Sequence, residues 1–257
     1  MDPTTSKTAA DWYRTGVEAH KRREMATARA AYREALALEP ARRPTKAELQ
    51  LVLDHTPLLF VTPDEPLPLE HFAAVLHPKE PWIGYHMFWR DDIDYPDDGE
   101  PVDHEVVWVR LDPAGRTPAE RLAGVFSFYH GRILSAPDSV ADARKNGGRP
   151  RFDVQWGKHG SLPVGWQHME DGAVLRDMKA TYERLVTHGI RKPDHPVASG
   201  WPKRFEGGWE AFTDFSVAVD PAALLRDGAM VRVGRFANAV LAAELFEFNF
   251  AAKSSVQ

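Results

Sequence analysis

The sequence predicts an α+β protein: a β-sandwich-like body with an N-terminal helical hairpin and peripheral helices. Three observations predict it. Residues 9–39 carry small and apolar side chains at intervals of three and four, the spacing of helices that bury one face. From His55 onward the chain changes to short aromatic and β-branched runs separated by Pro, Gly, Asn and Asp, which is strand-and-turn chemistry. Helical spacing then returns at 171–188, where Val174, Met178, Tyr182, Leu185 and Val186 share a face.

The elements follow in order. Trp12, Gly16 and Ala19 define the first helix, and Ala28, Ala31, Tyr32, Ala35 and Leu38 the second, which Pro40 ends. Residues 45–54 form a capping helix. Residues 1–54 are thus a helical appendage, and 55–257 a β-sandwich-like metal-binding domain. Leu58–Val61 is a short apolar run of the kind a buried strand uses, and Pro63, Pro66 and Pro68 make the loop after it. Residues 82–89, 105–111, 126–130 and 152–156 read as strands. Residues 136–150 read as a polar linker and candidate flap. Residues 212–219, 230–236 and 245–250 complete the strands, the last alternating Phe246, Phe248 and Phe250 with Glu247 and Asn249.

The helical pair resembles a single tetratricopeptide repeat: Trp12, Gly16, Ala28, Tyr32, Ala35 and Pro40 fall at that motif's spacings, with Thr15 and Ala19 where leucine and an aromatic are usual. One such repeat cannot bury its own core. The resemblance implies either packing on the body or a self-association arm. On this reading the pair is needed for solubility and dispensable for the site.

Composition narrows the function. The formal net charge is −5 and there is no long basic stripe, so nucleic-acid binding is not expected. Lys21-Arg22-Arg23 reads as a solvated helix face. The absence of cysteine excludes thiol chemistry, thiolate zinc sites and a disulfide framework. No apolar stretch is long enough to span a membrane and the first residues are polar, so a cytoplasmic location is the expectation. Phosphate-binding glycine loops, a nucleophile elbow and a His-Glu-x-x-His helix are all absent.

The chemistry concentrates between His86 and Glu105. Asp91, Asp92, Asp94, Asp97, Asp98, Asp103 and Glu105 lie within fifteen positions. Carboxylates this dense repel one another unless they face water or a cation neutralises them, and hard cations take such oxygens. Mg, Mn or Ca is the expected ion; a ligating His86 or His104 would favour Zn or Fe. Asp97, Asp98 and Glu100 read as a solvated turn. Asp103 and Glu105 open the apolar run 106–109; a strand beginning at 103 puts those two on one face and His104 on the other. His159, between Gly157 and Gly160, stands where few core contacts exist and is a candidate ligand or general base.

Four segments of this region resemble a known superfamily. Met87-Phe-Trp-Arg-Asp91, Asp103-His-Glu-Val-Val-Trp108, Arg151-Phe-Asp-Val-Gln-Trp-Gly-Lys-His159-Gly-Ser-Leu-Pro163 and His55-Thr-Pro-Leu-Leu-Phe-Val-Thr-Pro-Asp-Glu65 are together similar to the necrosis- and ethylene-inducing-peptide-like proteins and the related vacuolar-protein-sorting homologues. The resemblance covers roughly residues 55–165. It implies one divalent cation, with Asp91, Asp103 and Glu105 matching ligand positions. The superfamily's histidines before its Asp-Trp-Glu are replaced here by Pro101 and Val102, so a further ligand is needed, from Asp92, Asp94, His104 or His159.

The leading reading is a divalent-cation-dependent enzyme acting on a small organic substrate, of hydrolase or lyase/cyclase type. Asp91, Asp103, Glu105 and Asp94 would be metal ligands, and His104 or His159 the proton-transfer partner. The resemblance supports a second reading, cation-mediated binding of a sugar or lipid head group. A third is an interaction protein with a structural metal.

Overall fold

The computed structural model describes residues 7–93, 102–192 and 196–253. Asp94, Asp97, Asp98, Glu100 and Pro101 lie outside the described residues.

Two antiparallel helices open the chain, α1 (Ala9–Lys21) and α2 (Met25–Leu38), followed by α3 (Lys46–Asp54). Thr8 and Asp11 cap α1 reciprocally, and Thr45 and Glu48 do the same for α3, satisfying backbone N–H groups that a helix start leaves open. The α1–α2 packing explains Gly16: a Cβ there would stand 2.4 Å from Cδ1 of Tyr32, so only glycine permits this approach.

The strands are β1 (Leu58–Val61), β2 (Leu69–Leu76), β3 (Trp82–Trp89), β4 (Asp103–Leu111), β5 (Leu122–Tyr129), β6 (Arg132–Leu134), β7 (Arg151–Val154), β8 (Ser161–Pro163), β9 (Val217–Val219) and β10 (Val231–Val233). Interspersed among them are α4 (Pro118–Arg121), α5 (Pro137–Lys145), α6 (Ala173–Thr187), α7 (Trp209–Phe212) and α8 (Ala237–Val240). One mixed sheet has the order β10-β2-β3-β4-β5-β6, the other β8-β7-β1-β9. This is the expected α+β class.

The two sheets share a core. Phe72, Tyr85, Met87, Trp89 and Val107 of the large sheet meet Leu59, Phe152 and Val154 of the small one. The opposite face of the large sheet is covered by α1, α2, α8 and the C-terminal segment, where Ala28, Tyr32 and Ala35 join Ala73, Val75 and Phe88 in a second cluster. The helical pair therefore packs on the body and shares its core. A third cluster, built on Trp156, Trp166, Met178 and Phe205, holds α6 against the end of the small sheet.

Three local expectations need correction. Residues 136–150 are not a flap: α5 occupies them, with Ser139 and Ala143 buried. Residues 245–250 form no strand: Leu245 ends a π-helical turn, and Phe246, Phe248 and Phe250 pack on Phe88. The 212–219 stretch divides into the end of α7 and the three residues of β9. β2 has no counterpart in the sequence reading. Its inner residues, Phe72 to Leu76, are buried on both faces, and strands of that kind show no alternation. No helix among the described residues is long and apolar enough to cross a membrane.

Candidate functional site

The site lies where β3 ends and β4 begins. The register sets Trp89 opposite Asp103, Phe88 opposite His104 and Met87 opposite Glu105. The β4–β5 ladder starts at Val107, so Asp103 and Glu105 stand where the two strands diverge. A cavity of about 350 Å³ opens there. Asp91, Asp92, Asp103 and Glu105 form its acidic wall, and Arg23, Lys158 and Lys253 bring basic groups to it.

His159 organises the acidic side. Its turn is held by Gly157, whose N–H donates to Glu65 Oε2 at 2.9 Å and whose carbonyl accepts from Ile93 N at 3.0 Å. Its backbone takes the left-handed conformation at φ 56°, which costs a non-glycine residue about 1 kcal/mol or more. The side chain compensates. Nδ1 donates to Asp103 Oδ2 at 2.9 Å and Nε2 to Glu65 Oε1 at 3.3 Å, while the ring stacks on Trp89 with centroids 4.4 Å apart. Burial alone would discharge the ring, but Glu65 and Asp103 outweigh it and push the pKa up to about 10. With a carboxylate on each ring nitrogen, this arrangement favours the imidazolium, with both nitrogens donating. In that state it has no lone pair for a metal or for a substrate proton. Its place in the site is to hold Asp103 and Glu65.

Glu105 is the group poised to titrate. Its side chain is buried; Oε1 accepts from Lys253 Nζ at 3.2 Å, and Oε2 has no hydrogen-bond partner among the described residues. Burial raises its pKa to about 7, with Asp103 adding to the rise and Lys253 opposing it. Lys253 is held charged by Glu105 and Asp103 against its own burial, and its ammonium lies 4.9 Å from the centroid of Phe128.

The C-terminal segment brings Lys253 to this position. Carbonyls along it are gripped in turn: Phe248 O by Arg29 at 3.2 Å, Phe250 O by His20, Ala251 O by His104 at 2.8 Å, and Lys253 O by Asn238 at 3.0 Å. His20 and Arg29 belong to the helical pair, so the pair is built into the site rather than dispensable to it. Arg23, read as part of a solvated face, stands in the α1–α2 turn and reaches the cavity.

His104 faces away from the cavity, as strand alternation requires. Its ring stacks on Phe88 at 4.7 Å and meets Phe250 edge-on, and burial holds its pKa well below the ordinary value. It anchors the C-terminal segment and does not share a surface with Asp103 and Glu105. Of the expected ligands, Asp91, Asp103 and Glu105 come together at one cavity, and Asp94 falls outside the described residues. Among the described residues no group of three or more His, Asp or Glu side chains converges closely enough to hold a metal ion. Glu65, Lys158, Lys253 and Arg23 are site residues that sequence reasoning missed. Only Glu65 had a signal, as the end of the proline-bounded segment similar to the superfamily's opening strand.

No family model matches the chain, and no curated protein matches it. Comparison with solved structures gives a weak match to Necrosis and Ethylene inducing Protein 2 from the causal agent of cocoa's witches' broom disease. The TM-score is 0.30 and the identity 13%, over 56% of this chain and 82% of the other.

Proposed function

We propose that the cavity beneath the C-terminal segment is a proton-transfer site for a small polar organic molecule, with Glu105 as the acid–base group. The observation that carries this reading is the state of Glu105. It is a buried carboxyl with one oxygen on Lys253, the other without a partner among the described residues, and a pKa raised to about 7. A group balanced near neutrality can both take and return a proton, which hydrolase and lyase or cyclase chemistry both need. Walls of both signs suit a substrate carrying both donors and acceptors. Arg23, Lys158 and Lys253 would hold its anionic part, and Asp91 and Asp92 its donors. Asp103 is kept in place by His159.

A divalent cation is the second reading, favoured by four carboxylates around one cavity. Asp91, Asp92, Asp103 and Glu105 have the oxygen chemistry that Mg, Mn or Ca takes. The cation would polarise a substrate oxygen. His159 would hold Asp103 rather than touch the ion. Lys253 would have to leave Glu105 for the ion to enter.

Three variants separate the readings. Thermal-shift screening with a library of small polar acids, amines and alcohols, without metal, should give ligands whose effect disappears in Glu105→Gln. Titration calorimetry with Mg, Mn and Ca should then find no tight site in the wild type or in Lys253→Met. If Lys253→Met instead binds a cation with one-to-one stoichiometry, and Asp103→Asn with Glu105→Gln abolishes it, the cation reading replaces the first. A wild-type protein that binds neither library members nor cations refutes both.

A further inference from the structure

The large sheet has a second cavity, on the face opposite Asp103 and Glu105, of about 420 Å³. Trp82 and Trp108 line it as diagonal neighbours. In the β3–β4 register Trp82 stands opposite Arg110 and Gly84 opposite Trp108, so both indoles lie on one face. Phe126, the cross-strand partner of Trp108 in β5, packs on Trp82 with ring centroids 5.1 Å apart and backs this wall. None of these residues takes part in the site around Glu105.

Three partly exposed polar side chains from distant parts of the chain also line it: His77, Arg235 and Glu39. His77 follows β2, and its backbone N–H donates to the carbonyl of Trp82 at 2.9 Å. Its Nδ1 accepts from the backbone N–H groups of Lys79 at 3.3 Å and Glu80 at 2.7 Å, so the ring proton sits on Nε2. That Nε2–H is a donor held in one orientation, with no hydrogen-bond partner among the described residues. Gly234 N donates to the carbonyl of Leu76 at 3.0 Å, which sets Arg235 next to His77. Arg42 and Val233 exchange backbone hydrogen bonds of 3.0 and 2.8 Å, and this bridge brings Glu39 alongside. Gly234 permits the approach, because a Cβ there would stand 2.8 Å from Cβ of Ala41. Arg235 Nη1 donates to Glu39 Oε2 at 3.4 Å, and Glu39 Oε1 has no partner among the described residues.

The cavity thus joins an aromatic wall to a fixed imidazole donor, a guanidinium and a carboxylate. Aromatic walls with a few convergent polar groups, at this volume, are the usual form of a small-molecule site. The charges of Glu39 and Arg235 cancel, so a ligand carrying one charge meets as much repulsion as attraction. A zwitterion meets a complement at both ends. Its carboxylate can only accept, which suits His77 Nε2–H and Arg235, and its ammonium can only donate, which suits Glu39 Oε1. The indoles select what lies between those ends: a flat ring, which they cover face-on or edge-on.

We infer that this cavity binds a free aromatic amino acid, its ring against Trp82 and Trp108, its carboxylate on His77 Nε2–H and Arg235, and its ammonium on Glu39 Oε1. An aliphatic amino acid has the two charges without the ring, and an aromatic acid or amine has the ring with one charge. The inference depends on neither Glu105 nor a metal.

The test is titration calorimetry of the full chain with phenylalanine, with 3-phenylpropionate, which lacks the ammonium, with phenethylamine, which lacks the carboxylate, and with alanine, which lacks the ring. Phenylalanine should bind saturably, one molecule per chain. 3-Phenylpropionate should bind about fivefold more weakly, the upper worth of a partly exposed ion pair, and phenethylamine about tenfold more weakly, the worth of a hydrogen bond to a charged group. Alanine should give no measurable heat. Glu39→Gln should bring phenylalanine down to the affinity of 3-phenylpropionate without weakening the latter. His77→Asn keeps an acceptor for the two backbone N–H groups and loses the outer donor. It should weaken phenylalanine and 3-phenylpropionate about tenfold and leave phenethylamine unchanged. Circular dichroism checks the fold of each variant; if His77→Asn unfolds, the four probes and Glu39→Gln decide alone. The inference is overturned if phenylalanine does not bind, if any of the other three probes binds as tightly, or if either folded variant binds phenylalanine as the wild type does.

Discussion

The imidazolium of His159 makes the protein's stability fall with alkali, and by an amount the structure sets. The ring's pKa rises from 6.5 to about 10 on folding, because Glu65 and Asp103 outweigh the burial that opposes its charge. A group that holds its proton more tightly when folded contributes fully below the unfolded pKa. That contribution is then lost as pH rises towards the folded one. Each tenfold gain in proton affinity is worth about 1.4 kcal/mol, so the whole contribution is about 5 kcal/mol, lost between pH 6.5 and about 10. The window from pH 7 to 9.5 isolates it. His20, His55, His86 and His104 have lowered pKa values, so they act below 6.5, and Glu105 acts between 4.5 and about 7. Within that window roughly 3 kcal/mol should disappear, a large part of the roughly 5–15 kcal/mol that folded domains possess. The assay is urea unfolding followed by tryptophan fluorescence at half-unit pH steps. The control is His159→Asn, since asparagine tolerates the left-handed backbone but carries no proton. The wild type should lose about 1.4 kcal/mol per pH unit, and the variant should be less stable at pH 7 with a flat profile. A flat wild-type profile, or an equal slope in the variant, would refute the charged clamp.

Two further outcomes follow from the packing. Deleting residues 1–40 removes Arg23, His20 and Arg29 and uncovers Phe88 and Val75. The truncated chain should therefore bind a hydrophobic dye and aggregate, and small-angle scattering of a monodisperse, equally heat-stable product would contradict the shared core. Gly157→Ala should cost about 1–2 kcal/mol for its φ of +63° alone, with more from a Cβ 2.5 Å from Ile93 Cδ1. Its thermal unfolding should show this loss at pH 7 and a smaller one at pH 9.5, where the neighbouring His159 clamp is already weakened.

The helices at 9–39 and 171–188 were readable in the sequence because one-sided burial imposes a 3.6-residue period that depends on no distant partner. The strand read at 105–111 was legible from its β-branched and aromatic run, and the structure starts it at Asp103, the start for which the period of two puts Asp103 and Glu105 on one face and His104 on the other. β2 was not, because burial on both faces erases alternation. The Phe246–Phe248–Phe250 pattern was read as a strand, yet its alternation reflects packing on Phe88 without a ladder.

At the site, sequence alone determined which carboxylates lie at the end of the β3–β4 hairpin, since strand period and local spacing decide that. Tertiary structure decided their electrostatic state. Glu65 is 94 positions from His159 along the chain, and Lys253 is 148 from Glu105. No local pattern encodes such pairs. His159 looked free to ligate because its sequence neighbours are glycines; two distant carboxylates and the face of Trp89 turn it into a fixed cation. Charge depends on what lies within a few ångströms in space, and a pKa is therefore a property of the folded neighbourhood rather than of the segment that carries the residue.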